Sequence, residues 1–374
     1  MPIKMEDVAL IALTAFTTFC FLLIAYYTLY PIDPQIIPSP LHIITSLPED
    51  EIQKLPYQPD FFPGARDVET EYGSIRVYEW GPETGPKVVL IHGMSTCTMT
   101  LGPIAEALVS RGCRVLLFDL FGRGFSDGVG DLPYDIRLYT TQVLLALASS
   151  PLSWTGSNSL RVIGYSLGGA IAASFTVNFP HMVSSLILLA PAGLIRSTDL
   201  GLTFWFLFKS GLVPKRVLHA LMRGQLRSTT SSGGMKEQHC SPQETDKNPT
   251  DLGTASSSVN KLSLQEQMSA YMPWIVAHHR GFVPAFTSCA RFSPLTNQQR
   301  VWRALGKRKM GSTAVIIGDA DEVLDTVWYE TNGLPLLGGQ DHVMWKVLPG
   351  GHDFVMTAAE LIMREIDVLW GLHA

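Results

Sequence analysis

The pattern of this 374-residue chain predicts an α/β fold on a mostly parallel sheet flanked by helices, and three observations carry that prediction. From Val68 onward, apolar runs of strand length alternate with helix-like stretches, the repeat that lays helices over both faces of a parallel sheet. One junction in the series reads Gly164-Tyr165-Ser166-Leu167-Gly168-Gly169, a G-x-S-x-G pentapeptide between the apolar run Leu160 to Ile163 and a helix-like stretch from Leu167 to Phe179. The alternation breaks between about Gly193 and Gly311 and then resumes, so a single insertion interrupts one body.

Before that body stand two further segments. Val8 to Tyr30 contains no charged residue and, at about 1.5 Å per residue, is long enough to cross a hydrocarbon core of about 30 Å. Residues 1–30 are therefore expected to form a transmembrane signal-anchor. A cleavable signal would have a shorter apolar region ending in small residues, whereas this one ends in Tyr26, Tyr27 and Tyr30, side chains suited to the membrane–water boundary. Lys4 precedes the segment and no Lys or Arg follows until Lys54, which favours a cytosolic N-terminus and a single-pass protein of the endoplasmic reticulum or another endomembrane. Residues 31–63 hold eight prolines and read as a semi-rigid spacer.

The α/β body is expected over 64–192 and 311–374. The stretch from Val68 to Trp80 alternates about Tyr72-Gly73 as a hairpin, and Lys87 to Ile91 follows as a fully buried strand. Then come a helix over Leu101–Ser110, a strand over Arg114–Phe118, a helix over Tyr134–Ala148, a strand at Leu160–Ile163, the helix behind the pentapeptide, and a strand over Val183–Ala190. After the insertion the segments TAVIIG and WKVLP read as strands and Val355–Trp370 as the last helix. Residues 193–310 are expected to form a helical cap. Its two apolar stretches, LGLTFWFLFKSGLV and MSAYMPWIVAHHRGFVPAF, flank a polar interval, about 227–260, whose composition predicts disorder.

The pentapeptide has companions in a definite order. His92-Gly93 follows an apolar strand upstream, Gly318-Asp319-Ala320-Asp321 follows another downstream, and Gly350-Gly351-His352-Asp353-Phe354 lies near the end. Asp119, Gly122, Gly124 and Ser126 add a D-x-x-G-x-G-x-S stretch. With these motifs in the order serine, acid, histidine, the chain resembles the α/β-hydrolase superfamily over roughly Val68 to Leu372. The resemblance implies the α/β-hydrolase fold with an inserted cap, and a Ser-His-Asp triad.

Ser166 is the candidate nucleophile, at a turn so sharp that Gly164 and Gly168 are needed to avoid clashes. A serine hydroxyl needs a neighbouring base, and His352, in a Gly-rich loop after a strand, is the candidate over His342. The resemblance points to Asp321 as the acid, with Asp319, Glu322 and Asp325 close by as alternatives. It also assigns the oxyanion-hole amides to Met94 and Leu167, leaving His92 to order its loop. Arg123 among glycines suggests a phosphate loop, but no Lys-Ser/Thr ending follows, and the resemblance makes the stretch a structural turn.

A serine at the elbow makes acyl transfer to water the default reaction. The aromatic cap, with Phe204, Trp205, Phe206, Phe208, Tyr271, Trp274, Phe282 and Phe286, suggests a lipophilic ester, and with the anchor the arrangement is similar to membrane-anchored monoacylglycerol lipases. Similarity to uncharacterised fungal members opens non-hydrolytic condensation, cyclisation or C–C cleavage as a second reading, and a non-catalytic small-molecule binding protein is a third. No cofactor or metal is expected, since metal-type His/Asp spacing is lacking and the five cysteines show no C-x-x-C pair. A net charge of −5 argues against nucleic acid as partner.

Overall fold

The computed structural model describes residues 5–29, 34–157, 159–196, 198–232 and 263–372. Eight strands form one sheet: β1 (Arg66–Val68), β2 (Ile75–Trp80), β3 (Lys87–Ile91), β4 (Arg114–Phe118), β5 (Leu160–Tyr165), β6 (Val183–Leu189), β7 (Thr313–Gly318) and β8 (Met344–Leu348). Their order across the sheet is β8-β7-β6-β5-β3-β4-β2-β1. The strands from β8 to β4 run parallel to their neighbours, while β2 is antiparallel to β4 and to β1. β1 and β2 make the expected hairpin, with Val68 opposite Ile75. Val88–Ile91, Val115–Phe118, Leu186–Leu189 and Ala314–Ile317 are unbroken buried runs, as strands covered by helices on both faces must be.

The principal helices are α1 (Met5–Leu29), α2 (Gly102–Ser110), α3 (Ile136–Ala148), α4 (Leu167–Asn178), α5 (Lys215–Ser232), α6 (Leu264–His278), α7 (Phe282–Phe292), α8 (Gln299–Leu305), α9 (Thr326–Asn332) and α10 (Ala359–Trp370). Asp135 caps α3, accepting from the N–H groups of Arg137 and Leu138, which is why that helix starts later than the apolar pattern alone suggests. α4 is buried from Leu167 to Thr176 and rich in Gly and Ala, so it lies close against β5. The last helix is broken: a short turn at Phe354–Thr357 precedes α10. α10 is tied to the end of α2 by Arg111, whose Nε and Nη2 donate to the two Asp367 oxygens at 2.6 and 2.8 Å.

The proline-rich segment is not a spacer over its described part. Residues 34–63 lie on the body, with short helices at Leu41–Ile44 and Glu49–Ile52, each directly after a proline whose fixed φ suits a helix start. Ile36–Ile37 pairs antiparallel with Gly128–Val129, and Ile44, Tyr57 and Phe62 are buried. The physical reason is that large apolar side chains between the prolines each find a seat. Tyr57 bonds through its hydroxyl to Tyr78 Oη (2.8 Å), Thr98 Oγ1 (2.7 Å) and Asp119 Oδ2 (3.0 Å).

Between β6 and β7 the first apolar stretch forms a short helix, Gly201–Phe204, running into a π-turn over Trp205–Lys209. The second divides at His279-Arg280-Gly281 into α6 and α7 because His279 is drawn into the core. Its Nε2 donates to Ser126 O at 2.9 Å while its Nδ1 accepts from Gly281 N at 3.0 Å. Of the polar interval expected to be disordered from about 227, residues 227–232 are helical in α5 and the remainder lies outside the described residues.

If residues 34–63 are part of the core, Tyr57→Ala lowers unfolding free energy by about 3–5 kcal/mol. Tyr57→Phe, which removes only the hydroxyl, costs about 1–3 kcal/mol. Denaturant melts of both variants check this, and an unchanged midpoint for Tyr57→Ala would return the segment to a spacer.

Candidate active site

Strand β5 ends at Tyr165 and α4 begins at Leu167, leaving Ser166 alone to make the turn at φ 54°, ψ −119°. A residue with a side chain holds such angles only when its surroundings over-determine them. The Ser166 N–H bonds to Leu189 O at 2.9 Å, and its carbonyl accepts from Gly169 N and Ala192 N, each at 2.9 Å. The flanking glycines are required by space: a Cβ on Gly164 would fall 2.3 Å from Gly168 O, and one on Gly168 would fall 2.1 Å from Ile91 O.

The fold brings three of the residues singled out above into one hydrogen-bonded row. His352 Nε2 lies 3.0 Å from Ser166 Oγ, and His352 Nδ1 lies 2.8 Å from Asp321 Oδ2. The Asp321 side chain is fully buried and its other oxygen accepts from the amides of Val323 and Leu324 at 2.8 Å each, so the carboxylate is fixed before it meets the imidazole. The alternative acids have other work. Asp319 accepts from Gly350 N at 2.9 Å, Glu322 accepts from His352 N at 2.9 Å, and Asp325 caps α9 and pairs with Arg196. His342 packs beside Gly338, with no contact to Ser166 in the row.

Met94 and Leu167 border the same serine. Leu167 is the first residue of α4, where backbone N–H groups lack an intrahelical acceptor. The loop carrying Met94 touches Ser166, since a Cβ on Gly93 would lie 3.3 Å from Ser166 Cβ. His92 Nε2 accepts from Leu120 N at 2.9 Å and its Nδ1 faces Gly93 O at 2.9 Å, a neutral ring clamping the loop. Burial, reinforced by the Arg123 guanidinium, pushes its pKa down to about 3.

Sequence reasoning missed what Arg123 does. Fully buried, it donates from Nε to Met94 O at 3.0 Å and from Nη1 to Phe121 O and Tyr139 Oη at 2.9 and 3.2 Å. Nη2 lies 3.0 Å from Cys289 Sγ on α7. A guanidinium in the D-x-x-G-x-G-x-S turn thus holds the Met94 loop by its carbonyl and joins it to the cap. The only sequence signal was an arginine set between two glycines in an otherwise apolar turn.

A family model described as serine aminopeptidase, S33 (Hydrolase_4), matches residues 82–251, a span that includes Ser166 and stops before Asp321 and His352. The solved structure of a membrane phospholipase A, a bacterial virulence factor, superposes with a TM-score of 0.56 at 19% identity, covering 98% of this chain and 99% of that one. The enol-lactonase of Burkholderia xenovorans gives 0.57 at 14% identity over 81% and 99%. The chain has the α/β-hydrolase fold, and over residues 82–251 it matches a serine-hydrolase family model. Among curated relatives, a human serine hydrolase-like protein is 28% identical over 131 residues, 34% of this chain and 62% of its own length. A serine hydrolase-like protein of Dictyostelium discoideum is 27% identical over 140 residues, 36% of this chain and 37% of its own. The matched segments therefore span less than two thirds of these relatives.

Buried titratable groups around this elbow set how stability depends on pH. His92 (pKa about 3) and His279 (about 4, lowered chiefly by burial) are neutral in the fold and must take up protons on unfolding below their ordinary value of 6.5. Their contribution is complete above pH 6.5 and is lost as pH falls toward 4. Asp119, raised by burial to about 6 despite its hydrogen bonds, acts oppositely, releasing a proton on unfolding between pH 6 and 4. The net uptake is about one proton near pH 5, so stability should fall by about 1.4 kcal/mol per pH unit there, measured by denaturant melts between pH 7 and 4. His279→Gln should flatten that slope. Arg123→Lys, which cannot keep all four contacts, should slow the reaction of Ser166 with a fluorophosphonate by roughly ten- to a hundredfold in protein shown by circular dichroism to be folded, with a lowered melting temperature. An unchanged rate would show that Met94 needs no such anchor.

Proposed function

We propose that this protein is a serine hydrolase that cleaves an ester, or a related acyl bond, of a lipophilic substrate through an acyl-enzyme, held to a membrane by α1. The observation that carries the reading is the Ser166–His352–Asp321 row at 3.0 and 2.8 Å, on an elbow strained to φ 54°. Ser166 Oγ attacks the acyl carbon as His352 Nε2 takes its proton. Asp321, dry and held by two amides, keeps the Nδ1 proton in place and stabilises the imidazolium. The amides of Met94 and Leu167 receive the oxyanion. The imidazolium then gives its proton to the departing alcohol, and water, deprotonated by the same ring, releases the acid.

The described cap favours an ester over a peptide amine. An aminopeptidase needs carboxylates there to hold a substrate ammonium, and the acids among the described cap residues are Asp199 and Glu266. Asp199 pairs with Arg196, and Glu266 closes a capping box with Ser263 at the start of α6. Of the cap aromatics, Phe208, Tyr271 and Phe282 are buried packing groups, Tyr271 accepts from Gly124 N at 3.0 Å, and Trp205 and Phe206 are exposed, so the substrate wall falls to the half-buried Phe204, Trp274 and Phe286. Gln265 on α6 donates to Asp353 at 3.1 Å, which sets the cap over the loop of His352.

Support for the membrane comes from α1. Leu10–Thr28 has a mean hydropathy of 2.0 with its side chains turned outward, an apolar cylinder that water would not tolerate. A secretory leader has the same composition, so retention is part of the test.

The chain expressed with a C-terminal tag is treated with a fluorescent fluorophosphonate in alkaline-washed membranes, beside Ser166→Ala. Labelling of the wild type in the pellet and its loss in the variant are expected, as is hydrolysis of long-chain monoacyl esters in preference to amino-acid amides. Labelling that survives Ser166→Ala would overturn the triad, and a tagged product that is soluble and lacks residues 1–30 would overturn the anchor.

A further inference from the structure

Charge is distributed unevenly along this chain. Residues 193–310 carry 16 Lys and Arg against six Asp and Glu, while the rest carry 12 against 27. In the fold, part of that positive charge gathers around a cleft of about 330 Å³ between α5, α7 and the loop before α3. Lys215, His219 and Arg291 line it beside Leu132, Leu218 and Phe292, with Asp131 the one carboxylate on its wall.

Lys209 adjoins it, its ammonium donating to the main-chain carbonyl of Arg291. Burial and the Arg291 guanidinium together hold the Lys209 pKa below its usual value. Like charges held this close repel, and a bound anion relieves the repulsion. Around these cations the surface is apolar. Leu202 is 87% and Leu212 70% exposed, and Trp205, Phe206, Leu221 and Phe292 are exposed as well. On α5, Arg216, Arg223 and Arg227 fall along one exposed line at helical spacing, beside exposed Val217 and Leu221. α1 approaches α5, so this face and the apolar N-terminal helix share one side of the molecule.

Cations interleaved with bare apolar side chains suit the boundary of a bilayer, where the charges meet headgroups and the apolar groups enter the acyl layer. We propose that this face of the cap docks on an anionic leaflet, with the cleft at Lys209, Lys215 and Arg291 receiving the phosphate-bearing headgroup of an acidic phospholipid. The proposal rests on the membrane reading above and extends it from the anchor to the cap: the enzyme body lies down on the leaflet. The partner leaflet is chosen by charge, whichever side of the membrane carries it.

The test uses the full chain in lipid nanodiscs of phosphatidylcholine, with and without phosphatidylserine, read by amide hydrogen exchange. Exchange over residues 201–222 and 287–292 is expected to slow by about tenfold or more in the serine-containing discs, and the protection to vanish at high salt. Lys209→Glu, Lys215→Glu and Arg291→Glu combined should abolish it, and the corresponding Gln variant should weaken it; thermal unfolding in detergent checks that both fold. Equal exchange in the two discs, or protection that survives the Glu variant, overturns the proposal. Inorganic phosphate reproducing the protection in phosphatidylcholine discs would also overturn it, by making the cleft a site for a free anion. Ser166 labelling is scored separately, because none of these residues touches the row of Ser166, His352 and Asp321. Should α1 fail to hold the chain in discs, salt-sensitive flotation with phosphatidylserine vesicles would support the cap surface while overturning the anchor.

Discussion

The turn at Ser166 is the constraint around which the rest is arranged. Its backbone stands at φ 54°, an angle a serine does not keep unaided, and three backbone hydrogen bonds hold it there from β6, from α4 and from the chain after β6. For β3, β5 and α4 to come close enough to supply that support, the side chains at positions 164 and 168 must be absent. The strain has a geometric use: Oγ is presented beyond the sheet edge, where a loop from β8 can bring His352 to it.

Around that turn lies a layer of buried polar groups joining parts of the chain distant in sequence. Asp119 accepts from Thr98 N and Phe125 N at 3.0 Å each and from Tyr57 Oη, tying together the segment before β1, the loop after β3 and the turn after β4. Arg123 from the same turn holds the Met94 carbonyl and reaches Cys289 in the cap. Burying a cation and an anion this fully is costly unless each is saturated with partners, and both are. The loop carrying Met94 is thus positioned from beneath by Arg123.

The two halves of the molecule differ in electrostatic character. The α/β body is acidic and the insertion basic, though the chain as a whole is only mildly acidic. Helix α5 shows how this is built: Leu218 and Met222 face inward toward the neighbouring cap helices, while arginines and two bare aliphatic side chains face out. Here the outward face keeps Val217 and Leu221 exposed among the arginines.

The sequence by itself determined the order of elements and the identity of the chemically meaningful side chains. Apolar runs of strand length alternating with helices are dictated by local physics, and a serine between close-packed glycines, an acid after a strand and a histidine in a glycine-rich loop each need their residue type locally. Boundaries shifted where one side chain redirected the backbone, as Asp135 does at α3 and His279 does between α6 and α7. What the tertiary structure alone decided are contacts between residues far apart in the chain: Tyr57 on Asp119, Arg123 on Met94 and Cys289, and the hydrogen bond from His352 that sets Asp321 apart from the acidic alternatives the sequence left open. Prolines speak for an extended segment in the sequence, but whether that segment stands free or lies on the body depends on seats for Ile44, Tyr57 and Phe62, and those seats exist only once the sheet and its helices have assembled.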